Sequence, residues 1–124
     1  MGEKVILELP WPPSVNHYYR HVGPRVLISK EGRLYRDAVA TRIKLSGIAQ
    51  FKGDVDLSIQ LYPPDNRRRD VDNVLKCVMD TLIIGGLYED DSQVKQLKIV
   101  KLEPMPPDGL AVLMIKDYEK INSQ

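Results

Sequence analysis

The chain predicts an α/β (α+β) fold: a single mixed-sheet domain with two main helices. Three observations carry that prediction. Val55 to Leu61 alternates apolar and polar residues with the period of two of a half-buried strand, and Lys4 to Leu9 sets Val5, Leu7 and Leu9 against Lys4, Ile6 and Glu8 with the same period. The segments Leu34 to Ile43 and Val71 to Leu82 repeat apolar residues at helical spacing instead. Strand and helix signals interleave along 124 residues without repeats or linkers, a length that suits one domain spanning residues 1–124.

The first strand, Lys4 to Leu9, sets Val5, Leu7 and Leu9 on one face. Pro10-Trp11-Pro12-Pro13 ends it, because proline has no N–H to give a sheet ladder. Ser14 to Arg25 shows no sustained period and reads as a loop, followed by a short strand at Val26-Leu27-Ile28. Ser29 is a good N-cap with Glu31 in the first turn behind it, and the helix so begun is expected to end near Gly47. After the strand at Val55 to Leu61, Pro63-Pro64-Asp65-Asn66 reads as a turn.

The second helix starts at about Asp70. Its apolar stripe is Val71, Val74, Leu75, Val78, Met79 and Leu82, and Gly85-Gly86 closes it. Glu89-Asp90-Asp91-Ser92 reads as a turn and Val94 to Leu102 as a strand. Pro104 to Gly109 is expected to form a hairpin loop into the strand Leu110 to Ile115, which is almost wholly apolar and so belongs at the centre of the sheet. The polar tail, Lys116 to Gln124, is expected to fray.

Composition narrows the function classes. Hydrophobic residues at 43% and charged residues at 28% favour an ordered domain over a disordered chain. No run approaches the ~20 apolar residues of a membrane span. The apolar N-terminal run is broken by Glu8 and Pro10, so it does not read as a secretory signal. One cysteine cannot form an internal disulfide, and a cytoplasmic protein is expected. The net charge of +1 hides an uneven distribution. From Tyr18 to Lys44 there are seven basic and two acidic residues, whereas Cys77 to Val94 holds Asp80, Glu89, Asp90 and Asp91 with no Lys or Arg. A polyanion needs local positive charge only, so DNA remains an eligible partner.

The segment Arg67-Arg68-Arg69-Asp70-Val71-Asp72-Asn73-Val74-Leu75-Lys76 is the richest in chemistry. Part of it has a plain structural explanation: Asp70 suits an N-cap, Asn73 a weak capping box, and Asp72 the positive end of the helix. Three arginines at that same end are unfavourable, however, unless a phosphate backbone is the partner. Asp70 and Asp72 sit where loop becomes helix, so their carboxylates are able to converge. Carboxylate oxygens suit Mg²⁺, which also binds substrate phosphate. Asp90 and Asp91 form a second acidic pair beyond the helix, and Lys76 offers a positive charge one turn after Asp72. The combination points to metal-assisted phosphodiester hydrolysis. No Gly-rich phosphate loop is present, so no nucleotide cofactor is expected.

Three blocks carry a family resemblance: Pro10-Trp11-Pro12-Pro13-Ser14 with Asn16 and Tyr18-Tyr19-Arg20-His21; Arg67 to Lys76; and Gly86-Leu87-Tyr88-Glu89-Asp90-Asp91-Ser92-Gln93-Val94. In this order and spacing the chain resembles the RusA-type Holliday junction resolvases over nearly its whole length. The resemblance implies a bacterial, often prophage-encoded homodimer that cuts four-way junction DNA by paired nicks, often beside a CC dinucleotide, in recombination and repair. It implies Mg²⁺ as cofactor, with Mn²⁺ as a substitute. It implies Asp70, Asp72 and Asp91 as catalytic and metal-binding carboxylates, Lys76 as base or charge stabiliser, Asp90 as an accessory acid and Arg69 as a substrate contact. His17 stands where an arginine is common in the family.

From their charge and ring chemistry, His17, Tyr18, Tyr19, Arg20, Arg33 and Arg36 join Arg67, Arg68 and Arg69 as expected DNA contacts. Trp11 reads as a core anchor or a plug on a partner surface before a base-stacking platform. Cys77 reads as a small buried hydrophobe, since no positioned His accompanies it as a nucleophile would need. Two alternatives stay open: a metal-dependent nuclease for other branched or flap DNA, and a non-catalytic nucleic-acid-binding module.

Overall fold

Val55, Leu57, Ile59 and Leu61 are all buried, and they line the inner face of β4 (Val55–Tyr62). The computed structural model describes residues 4–120, and β4 is the axis of its main sheet. β1 (Val5–Leu9), β6 (Leu110–Asp117), β4 and β5 (Val94–Lys101) lie side by side in that order. β6 is antiparallel to both neighbours, with Leu7 opposite Leu113 on one side and Ile59 opposite Leu113 on the other. The apolar last strand is therefore interior, as its composition predicts. β5 pairs parallel to β4, so the chain between them must cross over, and α3 (Val71–Ile84) makes that crossing.

α2 (Lys30–Ser46) buries Tyr35, Val39 and Ile43; α3 buries Val74, Val78 and Leu82. These side chains join Leu9, Leu57, Leu61, Leu113 and Ile115 in one core between helices and sheet. Ser29 caps α2, its hydroxyl accepting from the Gly32 N–H at 2.9 Å, and Gly47 closes the helix at φ 72°.

Some expectations need correction. The segment read as a loop holds a short helix, α1 (Val15–Tyr18), and β2 (Tyr19–Val22), which forms a separate hairpin with β3 (Arg25–Ile28). Its hydrophobic signal is weak because Val22, Val26 and Leu27 remain exposed. The segment from Pro104 to Gly109 is not a hairpin loop: β6 lies on the far side of β4 from β5, so this connection passes over the end of β4. Gly109 makes that passage, at φ 76° with Pro64 N only 2.8 Å from where a Cβ would stand. Finally, the tail is ordered further than expected. β6 runs to Asp117 and Tyr118 donates its N–H to the Asp54 carbonyl at 2.9 Å; residues 121–124 lie outside those described. Among the described residues, no helix is long and apolar enough to cross a membrane.

Candidate active site

The approach to α3 is built around one carboxylate. Asp65 Oδ1 accepts from the Arg67 N–H at 2.9 Å and from Arg69 Nη1 at 2.7 Å. The Arg69 side chain is the dominant influence holding Asp65 below the usual carboxylate range, and the Arg67 backbone adds to it. Arg69 also lies 5.8 Å from the centre of the Trp11 ring, which itself packs against the core. Arg69 is thus fixed in place, while Arg67 keeps 83% of its side chain exposed. A cleft of about 590 Å³ opens here, lined by Trp11, Asn16, His17, Arg67, Arg68, Arg69, Asp70 and Asn73, among others.

Asp70 occupies the N-cap position of α3, but its side chain makes no capping bond. The capping box with Asn73 does not form. Among the described residues this leaves a carboxylate with no ion pair at the positive end of a helix, between three arginines and Asp72 in the chain.

Asp91 is at the other end of the sheet. Lys101, the last residue of β5, donates to the Arg69 carbonyl at 3.3 Å, which holds Asp70 near that end. Asp91 opens the short turn that leads into the first residue of the same eight-residue strand. At the usual rise per residue, the two acids stand on the order of 20 Å apart. Among the described residues, no three His, Cys, Asp or Glu side chains come close enough to hold a metal ion. The expected trio Asp70, Asp72 and Asp91 is therefore not gathered within one chain.

Asp90 is occupied by its own turn. It accepts from the Ser92 N–H at 2.9 Å, while Gln93 Oε1 accepts from the Asp90 N–H in return. Its hydrogen bonds to Ser92 hold its carboxyl below the usual range. Gln93 also ties this turn to the Phe51 and Gly53 carbonyls at 3.0 and 2.8 Å. Beside it, the hydroxyl of the wholly buried Tyr88 has no hydrogen-bond partner among the described residues. Burial, and then the charge of nearby Asp91, raise this phenol; the two side chains do not reach hydrogen-bond geometry.

A groove of about 460 Å³ runs along the outer face of α3 and connects these regions. It is lined by Asp72, Leu75, Lys76, Met79, Asp80 and Ile83 from the helix, with Tyr19 and Asp91. The helical positions recur every three or four residues, so they form one continuous stripe. Lys76 lies mid-stripe, its Nζ 6.0 Å from the centre of the Tyr19 ring. Among the described residues, no carboxylate is within ion-pair distance of Lys76.

Two expected DNA contacts are turned inward. Tyr18 is 0% exposed, so it is unavailable as a stacking surface; its hydroxyl donates to Asp80. Burial and then that carboxylate raise its phenol. Arg36 donates to Asp80 Oδ2 at 3.0 Å and to the Tyr18 hydroxyl at 2.9 Å, so its charge is already matched. The remaining candidates are exposed or half-exposed: His17 against Ser14 at 3.0 Å, Tyr19, Arg20 on the hairpin, and Arg33 donating to the Ile28 carbonyl at 3.0 Å. Cys77 is buried, and burial pushes its thiol up to about 11. Asp80 and Asp65 are site residues that motif reading passes over. Spacing holds the signal for both: Asp80 stands four and eight residues after Lys76 and Asp72, and Asp65 four before Arg69.

The family model for endodeoxyribonuclease RusA matches residues 10–112. A crossover junction endodeoxyribonuclease of Enterobacteria phage 82 is 44% identical over 115 residues, covering 90% of this chain and 92% of the relative. Relatives of the same description from Escherichia coli and Shigella sonnei are each 42% identical, with the same coverage. The match takes in both ends of the α3 groove and the cleft beside Trp11, and on that breadth the chain belongs to the RusA endodeoxyribonuclease family.

Proposed function

We propose that this protein is a metal-dependent endonuclease that resolves four-way DNA junctions by paired nicks, in recombination and repair, in the cytoplasm. One observation carries the reading: the α3 stripe exposes Asp72 and a Lys76 that no carboxylate pairs with among the described residues, beside an arginine-lined cleft that also holds Asp70. A structural helix would use those carboxylates for capping and pairing; here Asp70 makes no capping bond, and among the described residues neither Asp70 nor Asp72 forms an ion pair.

The donor chemistry fits a hard divalent cation. Mg²⁺ needs only one or two carboxylates when substrate phosphate and water fill the other positions. Asp70 and Asp72 would hold it at one end of the groove, and Mn²⁺ would substitute. Because one chain leaves Asp91 far from Asp70, the acting species is a homodimer in which the partner subunit's Asp91 completes the site. This suits a dimer whose twofold axis is perpendicular to α3: the two copies of the stripe then run antiparallel, and the Asp72 end of one meets the Asp91 end of the other. Leu75, Met79 and Ile83, only partly buried in one chain, lie at the contact.

A divalent ion held by these carboxylates would make hydroxide available near neutral pH and offset charge growing on the phosphate. Lys76 adds a positive charge opposite the phosphate oxygens. Arg67 and Arg68 hold the backbone of the strand to be cut, with His17, Tyr19, Arg20 and Arg33 along the adjoining surface. Arg69, buttressed by Asp65 and Trp11, fixes register. Water oxygen bonds to phosphorus as the bond to the 3′ oxygen breaks, and a proton passes to that oxygen. The products are a 3′-hydroxyl and a 5′-phosphate.

The test is cleavage of a synthetic four-way junction, a flap and a linear duplex, with Mg²⁺ and with chelator. Paired nicks in the junction, dependent on Mg²⁺, are expected. Equal cutting in chelator, or faster cutting of the flap, would reject the reading.

A further inference from the structure

Lys76 and Asp80 are one turn apart on α3, the spacing at which opposite charges usually pair, yet they do not pair. The Asp80 carboxylate is taken by two donors from elsewhere in the fold. Arg36, on α2, donates to it at 3.0 Å, and the Tyr18 hydroxyl, on α1, donates to it as well. Arg36 Nε closes the triangle by donating to the Tyr18 oxygen at 2.9 Å, with its guanidinium carbon 5.7 Å from the Tyr18 ring centre. The Arg36 and Asp80 side chains are 24% and 33% exposed, so water screens this cluster less than a surface pair. From Tyr18 the arrangement continues outward. The Tyr19 ring stands edge-on to Tyr18, 4.9 Å between centres, and Lys76 lies over Tyr19.

We infer that the Arg36–Asp80–Tyr18 cluster keeps Lys76 available to phosphate, by neutralising the carboxylate one turn beyond it that would otherwise capture it and by holding the Tyr19 ring beneath it. Arg36 is then a positioning residue for Lys76 and not a grip on DNA. This rests on the role given to Lys76 above.

The experiment compares Arg36→Gln, Asp80→Asn and the double variant, each checked for an unchanged circular dichroism spectrum. Junction cleavage is measured in Mg²⁺ and junction binding across a salt series. Arg36→Gln should cut at least tenfold more slowly, with affinity and salt slope unchanged, because Asp80 is freed to pair with Lys76. Adding Asp80→Asn should restore most of the rate, to that of Asp80→Asn alone. Arg36→Lys, which keeps the charge, should lose less than Arg36→Gln. A double variant no faster than Arg36→Gln overturns the inference, as does a salt slope that falls in Arg36→Gln. Lys76→Ala separates the two levels: normal cutting by it withdraws Lys76 from the reaction and the inference with it. An inactive Lys76→Ala beside an unrescued double variant removes the cluster's role alone.

Discussion

Asp65 accepts from Arg69 at 2.7 Å, across the four residues that lead into α3, and the same oxygen accepts from the Arg67 N–H. One carboxylate therefore sets the path of the whole arginine run. Asp65→Asn should loosen that path. The folded-state pKa of Asp65 is depressed, so its contribution to stability is present above the unfolded value near 4 and is lost as pH falls through the lower folded value. Chemical denaturation of the wild type from pH 6 to pH 3 should show a small acid-dependent loss that Asp65→Asn lacks. Junction cleavage by this variant should fall several-fold at neutral pH.

Subunit mixing tests the shared site. Asp72→Asn and Asp91→Asn, each alone, should reduce cleavage by at least about 10²-fold while leaving binding intact. In a mixed dimer of the two, a composite arrangement leaves one site with both acids and the other with neither. Mixing should therefore restore nicking of one strand on a cruciform plasmid. If each chain used only its own acids, every site would lack one and the mixture would stay inactive.

Salt dependence sorts the arginines. Arg68→Ala and Arg20→Ala should weaken binding across DNA sequences and lower the salt slope by up to ~1 for each phosphate no longer neutralised. Fluorescence anisotropy over a range of KCl concentrations reads this directly. An unchanged slope in both would move the DNA path away from this surface.

Gly32→Ala tests how the hairpin is anchored. In an ordinary helix this change stabilises by about 1 kcal/mol. Here the new Cβ would stand 2.4 Å from the Tyr18 carbonyl oxygen and 2.9 Å from Ile28 Cγ2. A backbone atom cannot swing aside, so a net loss of about 1–3 kcal/mol is expected. The urea midpoint should drop with the slope unchanged.

The Cys77 thiol should resist alkylation in the native protein. It is buried and pushed up to about 11, so little thiolate exists at pH 8 and the reagent has no approach. Labelling should follow unfolding across a denaturant series. Prompt labelling in buffer would show that α3 opens locally.

The elements that a single periodicity defines were legible. β4 alternates without a break because one of its faces is core, and both long helices show their stripes because each packs against that core. Of the hairpin from Tyr19 to Ile28 only the second strand, Val26-Leu27-Ile28, was legible; its partner was not, since three hydrophobic side chains of the hairpin stay in solvent and leave no alternation to read. The route of Pro104 to Gly109 was hidden for another reason. A short connection suggests neighbours, and nothing local in the sequence says that β6 pairs with β4 and β1 instead of β5. At the site, residue types and spacing marked Asp70, Asp72, Lys76 and Asp91, while Tyr18 and Arg36 looked like surface groups. Their partner Asp80 is 44 residues beyond Arg36, a pairing that exists only once α2 and α3 have packed.

β5 also acts as a ruler that no side-chain motion can shorten. A solitary chain keeps Asp70 and Asp91 at the two ends of a rigid strand, so on the proposed reading it cannot cut at all. Total activity should then fall with the square of concentration once the protein is diluted below the dimer's dissociation constant. A nuclease built this way is silent while scarce, and its threshold is set by how well two α3 faces adhere. Weakening that contact would disarm the protein without altering any residue that touches DNA.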